Sequence, residues 1–485
     1  MLSINKIFSD DIIQQIIDEA LQLLESPGVK IGSKEALGWL HDSGATIDLI
    51  EGTAKFPPEL VLKLLGDVPE EFSLYNTFGE ATVHYAGEKI HFDPGSSAIN
   101  ILDSENQEHR PAETNDLIKI IQICESLSAF DAQSTAVVCH DVPGEIGDLY
   151  RLYLVLLYSK KPIVTGAFSV KTGKVMFEML EICAGSSGSL KKKPRAIFDV
   201  CPSPPLNWTE FAAQNLIDLA RAGIPAQIVS MPLSGAAAPV TLIGSIVQHT
   251  AECLSGITIH QLANPGAPIV WGGAPAVFDM RYGTTSVGAA ETMLMISGYA
   301  QVGKYLNIPT HAYLVASDAK SIDAQAGIES GISAIIGALS GINMISGAGM
   351  LDFLACQSPE KLVIDAEAIE MAKRYTNGIH FHTDTLGVEH FSDSEFSGDF
   401  LRHQLTRKLY KAEQYIPSGV IDRGSLRNWM DSGAIDIFSR AKRRVEDIIS
   451  TYNKPALLPE QETELTKLVS TLARDTGMNQ LPKLS

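Results

Sequence analysis

The chain has 485 residues, with 57 acidic against 38 basic side chains and a formal charge of −19. This length suits about two to four average domains, although one α/β barrel with additions also accounts for it. The only basic cluster is Lys191–Lys193, so nucleic acids and anionic membranes are poor partners, whereas a cationic ligand suits the charge.

The cysteines and the start of the chain indicate the compartment. The six cysteines are dispersed without a CxxC pair, which favours reduced, mostly buried thiols. An amphipathic helix pattern follows Ser9, in place of the basic head and apolar run of a signal peptide. Glu252 is the only charged residue between Arg221 and Asp279, but prolines divide this stretch into segments too short to span a bilayer. We therefore expect a cytoplasmic protein with no membrane partner. A homo-oligomer is a further expectation, which these features do not derive.

Residues 1–92 are predicted to form a separate N-terminal region. A stripe of isoleucine and leucine predicts a first helix that ends at Pro27, and similar patterns predict helices at Lys34–Ser43 and Pro58–Gly66. Alternating residues from Phe72 to His91 predict a small β-rich stretch.

Residues 93–378 alternate short apolar strands with helical patterns, and this alternation predicts the fold. Eight such units are the number in a TIM barrel. An open doubly wound sheet is the alternative, although no GxGxxG follows the first strand. The eight strand candidates are Ser97–Leu102, Thr135–Cys139, Pro162–Phe168, Ala196–Cys201, Ala226–Met231, Pro268–Trp271, His311–Ala316 and Ile342–Ser346. Residues 379–485 are predicted to form a C-terminal helical cap and tail.

The seventh unit ends its strand in polar residues that are candidates for chemistry. Ser317, Asp318 and Lys320 follow an apolar run directly, and such positions face the functional end of a barrel. Asp323 is a suitable N-cap for the next helix. Gly327 and Gly331 are expected to let that helix approach a neighbour closely.

Aromatic and acidic residues dominate the predicted strand ends. Trp271 and Tyr313 are aromatic, and Asp199 is acidic. Such a mouth favours a small cation, because an aromatic face attracts a quaternary ammonium by about 0.5–2 kcal/mol. The alternative is that Trp271 and Phe278 pack under loops and that Tyr313 fills a layer of the barrel.

The sequence leaves two further kinds of site as alternatives, a Schiff-base lysine and a zinc site. Lys320 would serve as a Schiff-base nucleophile if burial lowered its pKa, but its polar loop favours the ionised form. A zinc site would need Cys139, His140 and Cys201 to meet, and isolated cysteines with apolar neighbours are more often core residues, so no metal is predicted.

Several longer phrases resemble the trimethylamine methyltransferase family. They are MPLSGAAAPVTLIG (231–244), QLANPGAPIVWGG (261–273), SDAKSIDAQAGIESG (317–331), INMISGAGMLD (342–352) and DRGSLRNWMDSGAIDIFSRAKRRVEDI (422–448). The resemblance implies a TIM-barrel enzyme that passes a methyl group from a methylated amine to the cob(I)amide of a separate corrinoid protein. Founding members carry pyrrolysine in the barrel mouth. This sequence has only standard residues, which matches the branch without pyrrolysine that uses quaternary amines such as glycine betaine.

The resemblance and the strand-end positions together give a set of candidate site residues. We expect no permanently bound cofactor, a wide barrel mouth, and a corrinoid partner that docks there with His382–Phe396 at the rim. His382 and Lys320 are candidates to hold a substrate carboxylate, and Asp318 and Asp199 are candidates to tune the field. The predicted cage for the methylated head consists of Trp271, Phe278, Tyr282, Tyr313 and Phe353.

Two other functions remain as alternatives. One is a barrel lyase or aldolase that works through Lys320, and the other is a non-catalytic binder of betaines.

Overall fold

The computed structural model describes residues 6–185, 188–382, 387–388, 391, 398 and 400–484. Eight parallel strands form the central sheet, in the order β1, β8, β7, β6, β5, β4, β3, β2. The two outer strands also meet, because Asp131 N donates to Phe92 O at 2.8 Å and Ala98 N donates to Ala136 O at 3.0 Å. The sheet is therefore a barrel, and the alternative of an open sheet is wrong. The strands are β1 (His91–Pro94), β2 (Gln133–Ser134), β3 (Ile163–Thr165), β4 (Ala196–Val200), β5 (Ala226–Ile228), β6 (Ile269–Gly273), β7 (Thr310–Tyr313) and β8 (Met344–Ala348).

One helix follows each strand and covers the barrel from outside. Asp323 caps the seventh helix as predicted, because its carboxylate accepts from the backbone N–H groups of Gln325 and Ala326. The close approach predicted for Gly327 and Gly331 is wrong, since open space surrounds both. The helices are α1 (Thr114–Ser126), α2 (Gly147–Tyr158), α3 (Val170–Ala184), α4 (Glu210–Ala222), α5 (Leu242–Ala263), α6 (Ala290–Tyr305), α7 (Ala324–Leu339) and α8 (Pro359–Thr376).

The first two strands lie earlier in the chain than predicted. Strand β1 is His91–Pro94, whereas the predicted run ends in Asn100–Leu102, which belongs to a separate small sheet. The reason is that β1 carries polar His91 and Asp93, so it lacks the continuous apolar pattern of a buried strand. The division into three domains, at residues 92 and 378, stays a prediction.

The N-terminal region contains three helices and two small β elements. The helices are Asp10–Glu25, Lys34–Asp42 and Pro58–Leu65. Strands Val29–Ile31, Thr46–Asp48 and Thr53–Lys55 form a sheet with Asn207–Trp208. Strands Phe72–Tyr75 and Ala81–Tyr85 form an antiparallel hairpin.

This hairpin closes the amino-terminal end of the barrel. Its residues Leu74, Val83 and Tyr85 are fully buried in one apolar cluster with barrel residues, and the cluster includes Val164 and Val270. The β-rich stretch predicted at Phe72–His91 therefore plugs this end of the barrel, and we look for the site at the opposite, carboxyl-terminal end.

Two small sheets lie in the loops that follow the barrel strands. One consists of Met350–Leu351, Cys356–Gln357, Asn100–Leu102 and His109–Pro111, and the other of Leu233–Ser234, Ala276–Asp279 and Thr284–Ser286. A short 3-10 helix, Gly144–Ile146, precedes α2.

The described C-terminal helices pack on the flank of the barrel. Ile437–Thr451 packs against α8 and α1, and Pro459–Asp475 packs against α2 and α3. The remaining described elements are Phe400–Arg402, Gln404–Glu413 and Leu426–Asp431. Much of the segment predicted at the rim, His382–Phe396, lies outside the described residues. No helix in the described part of the chain has the length and apolar composition needed to cross a membrane.

Candidate active site

A polar group formed by three strands marks the floor of the open end. Tyr313, the last residue of β7, donates its hydroxyl to Asp199 Oδ2 on β4 at 3.2 Å, and Gln227 Nε2 on β5 donates to Asp199 Oδ1 at 2.6 Å. Strands β7 and β4 are separated by β6 and β5 in the sheet, so the Tyr313 contact crosses the barrel interior. We call Tyr313, Asp199 and Gln227 the floor triad.

The floor triad presents an acidic group to the opening. Asp199 and Tyr313 are partly accessible, whereas Gln227 is fully buried. Burial raises the pKa of Asp199 to about 7, and the two donated hydrogen bonds oppose that shift. Burial, with the nearby Asp199, also raises the pKa of Tyr313 well above its ordinary value, so this phenol keeps its proton. No Lys or Arg among the described residues forms an ion pair with Asp199, and a cationic ligand would neutralise it.

A second polar layer lies beside the floor triad and is sealed from solvent. Ser346 Oγ on β8 donates to Asp93 Oδ1 on β1 at 2.5 Å, and His311 Nε2 on β7 lies 3.1 Å from the same hydroxyl. Burial lowers the pKa of His311 to about 3 and raises the pKa of Asp93 well above its usual range, with a further rise from Asp199. These residues are fully buried, so this layer supports the site without contacting solvent.

The structure brings together two of the predicted site residues, Tyr313 and Asp199. The other aromatic candidates lie farther out. Phe278 is on the strand Ala276–Asp279 of the small sheet that follows β6. Tyr282 is 77% exposed in the turn after that strand, beside Arg281. Neither is placed by the structure in the floor of the barrel.

Trp271 is not in the barrel mouth, which corrects the predicted cage. Its side chain is fully buried, donates from Nε1 to Tyr299 O at 3.0 Å, and packs against Gly303 of α6. Successive residues of a strand face opposite sides, and Val270 belongs to the interior cluster. Trp271 therefore faces the outer helices.

His382 is also far from the floor, which corrects its predicted role with a substrate carboxylate. Helix α8 runs back along the barrel, so the chain leaves Thr376 at the amino-terminal end, and His382 follows six residues later. Its Nε2 is hydrogen-bonded to Glu413. The carboxylate of Glu413 thus occupies the ring nitrogen of His382 that a ligand carboxylate would need.

Asp318, Lys320 and Phe353 lie in the rim, where their contacts are with the protein. Asp318 accepts from Ser286 Oγ and from Val287 N at 2.9 Å, and burial raises its pKa, so it anchors the loop before α6. The Lys320 side chain is 57% exposed and its Nζ lies 3.6 Å from Asp352 Oδ1. That ammonium also covers the Phe353 ring at 3.6 Å, so the protein itself supplies the cation for this aromatic face.

Arg151 lies beside the loops at the open end of the barrel, and the sequence analysis did not single it out. It lies in α2, fully buried, and its Nη1 donates to Ser97 Oγ at 2.9 Å and to Thr135 O at 2.8 Å. The loops after β1 and β2 supply these two acceptors. The available signal was a lone basic residue within the otherwise apolar run of Leu149–Tyr158, because an unpaired buried charge is rare unless it serves a purpose.

Cys201, a candidate zinc ligand in the sequence, lies at the carboxyl-terminal end of β4, in the mouth. It follows β4 two residues after Asp199 and is exposed, whereas the other five cysteines are buried. The described residues contain no group of three or more His, Cys, Asp or Glu side chains arranged to hold a metal ion.

Comparison with solved structures supports the barrel. The monomethylamine methyltransferase of Methanosarcina barkeri matches with a TM-score of 0.53 at 13% identity, over 91% of this chain and 88% of that chain. At this identity the likeness concerns the fold alone.

Comparison of sequences establishes the family. The chain is 30% identical to a trimethylamine methyltransferase of Methanosarcina barkeri, over 92% of this chain and 91% of the relative. It is 29% identical to a trimethylamine methyltransferase of Desulfitobacterium hafniense, over 94% and 91% of the two chains. A glycine betaine methyltransferase of the same species is 28% identical, over 97% and 98%. The model of the trimethylamine methyltransferase family matches residues 2–477, and the chain therefore belongs to that family.

Proposed function

We propose that this chain transfers a methyl group from a quaternary amine, with glycine betaine as the leading candidate, to the cob(I)amide of a separate corrinoid protein. The observation that carries the proposal is the partly accessible Tyr313–Asp199 pair at the floor of the barrel. An aromatic ring and a carboxylate without a cationic partner form a suitable site for a trimethylammonium group.

The chemistry requires little from the protein beyond binding and orientation. Cobalt(I) donates its electron pair to the methyl carbon while the carbon–nitrogen bond breaks, and the nitrogen leaves with that bond pair as a neutral tertiary amine. A quaternary nitrogen already carries the positive charge that makes it a good leaving group, so no proton is needed. The floor triad would place the head and exclude water from it.

The sequence also favours a quaternary over a tertiary amine. All residues are of the twenty standard types. The resemblance implies that the branch of the family that uses trimethylamine carries pyrrolysine in the barrel mouth. Glycine betaine is preferred over choline because the barrel mouth also contains a buried arginine.

A methyl-transfer assay with matched donors tests the proposal. The purified chain is mixed with a corrinoid protein reduced to Co(I), and formation of methyl-cobalt is followed by absorbance with glycine betaine, choline or trimethylamine as the donor. We expect methylation by glycine betaine, none by trimethylamine, and loss of activity in Asp199→Asn. Methylation by trimethylamine alone would show that the substrate class is wrong.

The same preparation separates the proposal from the alternatives. The chain purified alone should be colourless, because the corrinoid belongs to the partner, and a stoichiometric cobalamin absorbance would contradict this. Binding of glycine betaine without any methyl transfer to Co(I) would instead indicate a non-catalytic betaine binder.

A further inference from the structure

Arg151 is a buried cation with one edge of its guanidinium unused. Nη1 is occupied by Ser97 and Thr135, but Nε and Nη2 are buried and have no hydrogen-bond partner among the described residues. Leaving charged donors unmatched is costly in a folded protein. The Nε–Nη2 edge has the spacing that binds a carboxylate through two parallel hydrogen bonds.

The surroundings of Arg151 hold it in place without using that edge. The ring of Phe168 lies 4.6 Å from the guanidinium carbon, and this ring is 46% exposed, so it has room to turn away. The nearby Asp148 already accepts from Phe168 N at 2.6 Å, from Leu149 N at 2.8 Å and from Thr172. Burial lowers the pKa of Arg151 to about 10, which still leaves it cationic at neutral pH.

A chain of polar groups connects Arg151 to the floor triad. The hydroxyl of Ser97 accepts from Arg151 and lies 3.4 Å from that of Ser96. Ser96 is near enough to influence the pKa of Tyr313, which donates to Asp199. Tyr313 is also near enough to influence the pKa of Arg151. One side of the floor thus carries a positive charge and the other side a carboxylate.

We propose that Arg151 binds the carboxylate of a zwitterionic quaternary amine through its Nε–Nη2 edge, while the trimethylammonium head lies at Tyr313 and Asp199. The order of charges in the site then matches the order in the ligand, and Phe168 turns aside to admit the carboxylate. The inference rests on the proposed function and identifies the residue that selects its substrate. It replaces Lys320 and His382, whose partners lie elsewhere.

Binding of glycine betaine and choline to Arg151→Met tests the proposal, because choline has the same head but no carboxylate. Calorimetry on the wild type should show tighter binding of glycine betaine. In Arg151→Met we expect glycine betaine to weaken by about 10- to 100-fold, the usual effect of losing a hydrogen-bonded charged group, while choline changes little. Methionine fills the site without a buried charge, so this variant should fold.

Arg195→Met provides a matched control. Arg195 is also buried, with its pKa lowered by burial, but it precedes β4 and so lies at the plugged end. Its substitution should leave the ratio of the two dissociation constants at the wild-type value, whatever its effect on stability.

A second variant keeps the proposal testable if Arg151→Met fails to fold. Ser97→Ala removes the acceptor that holds Nη1 and should weaken glycine betaine several-fold more than choline. An unchanged ratio in Arg151→Met, or in Ser97→Ala when that is the folded variant, would overturn the proposal. So would wild-type protein that binds choline as tightly as glycine betaine, or that does not bind glycine betaine.

Failure of the proposed function gives a different result. If no quaternary amine methylates Co(I) but glycine betaine binds in an Arg151-dependent way, the carboxylate site stands and the methyl transfer does not. If methyl transfer occurs equally from glycine betaine and choline in both wild type and Arg151→Met, the methyl transfer stands and the carboxylate site does not.

Discussion

Tyr313 donates a hydrogen bond of 3.2 Å to Asp199 across the barrel interior. The contact fixes an aromatic ring and an acidic group at one point of the floor, although 114 positions separate them in the chain. A ligand head bound there meets both groups, so the ionisation of Asp199 should control its affinity.

Affinity for glycine betaine should rise with pH. The pKa of Asp199 is raised to about 7, so the carboxyl is neutral at lower pH and gains the charge that attracts the ammonium at higher pH. We expect the dissociation constant to fall about tenfold from about pH 6 to about pH 8 and then level off. Calorimetry across this range measures the effect.

Tyr313→Phe and Asp199→Asn are the controls for this pH dependence. Removing the phenol donor should raise the pKa of Asp199 further and move the transition to higher pH. Asp199→Asn should bind weakly at every pH. An equally steep profile in Asp199→Asn would assign the titration to another group.

Asp199→Asn should be more stable than the wild type at neutral pH. Because the folded-state pKa of Asp199 is raised, its contribution to stability is present below the unfolded-state pKa of about 4 and is lost as pH rises to about 7. Above that range, burial of the carboxylate destabilises the fold by an amount of the order of a few kcal/mol. Thermal melting at pH 7 should therefore show a higher Tm for the variant, and no difference near pH 4.

Cys201 should be the cysteine that reacts with a thiol reagent in the native protein. It is exposed, and the other five are buried, so it is the thiol that a reagent can reach. Glycine betaine should protect it. Mass spectrometry of peptides after maleimide treatment locates the label, and equal labelling with and without the ligand would place the ligand elsewhere.

Lys320→Ala should retain methyl transfer within a few-fold of the wild type. The Lys320 side chain is exposed and paired with Asp352 at the rim, whereas a Schiff-base lysine is activated by burial or a cationic neighbour. Borohydride treatment in the presence of carbonyl substrates should leave Lys320 unmodified. A trapped adduct, or complete loss of activity, would restore the lyase alternative.

Gly347→Ala should destabilise the barrel severely. Gly347 of β8 has φ of +124°, and an added Cβ would lie 2.1 Å from Leu314 O. We expect a loss of more than about 3 kcal/mol, or no folded protein. The matched variant Gly327→Ala, in the open and exposed face of α7, should instead gain about 0.5–1 kcal/mol. Parallel melting curves compare the two, and similar Tm values would contradict the expected strain.

The sequence by itself determined the barrel and the family. Alternation of apolar strands with capped helices repeats along the chain, because each strand is covered by a helix and each helix needs an apolar face. Local patterns also located Asp323 as a cap and drew attention to Asp199 and Tyr313 at strand ends. These features depend on neighbours in the chain, so they are visible in it.

Only the tertiary structure decided which residues form the candidate site. Trp271 and Tyr313 both belong to apolar barrel strands, but the pleat turns Trp271 outward and Tyr313 inward, and one residue of register changes the side. His382 lies at the plugged end of the barrel, and not at the predicted rim, because α8 runs antiparallel to the strands. The candidacy of Arg151 rests on the loops after β1 and β2, which occupy Nη1 of its guanidinium and leave Nε and Nη2 unpaired. Such relationships join residues that are distant in the chain, and no local pattern carries them.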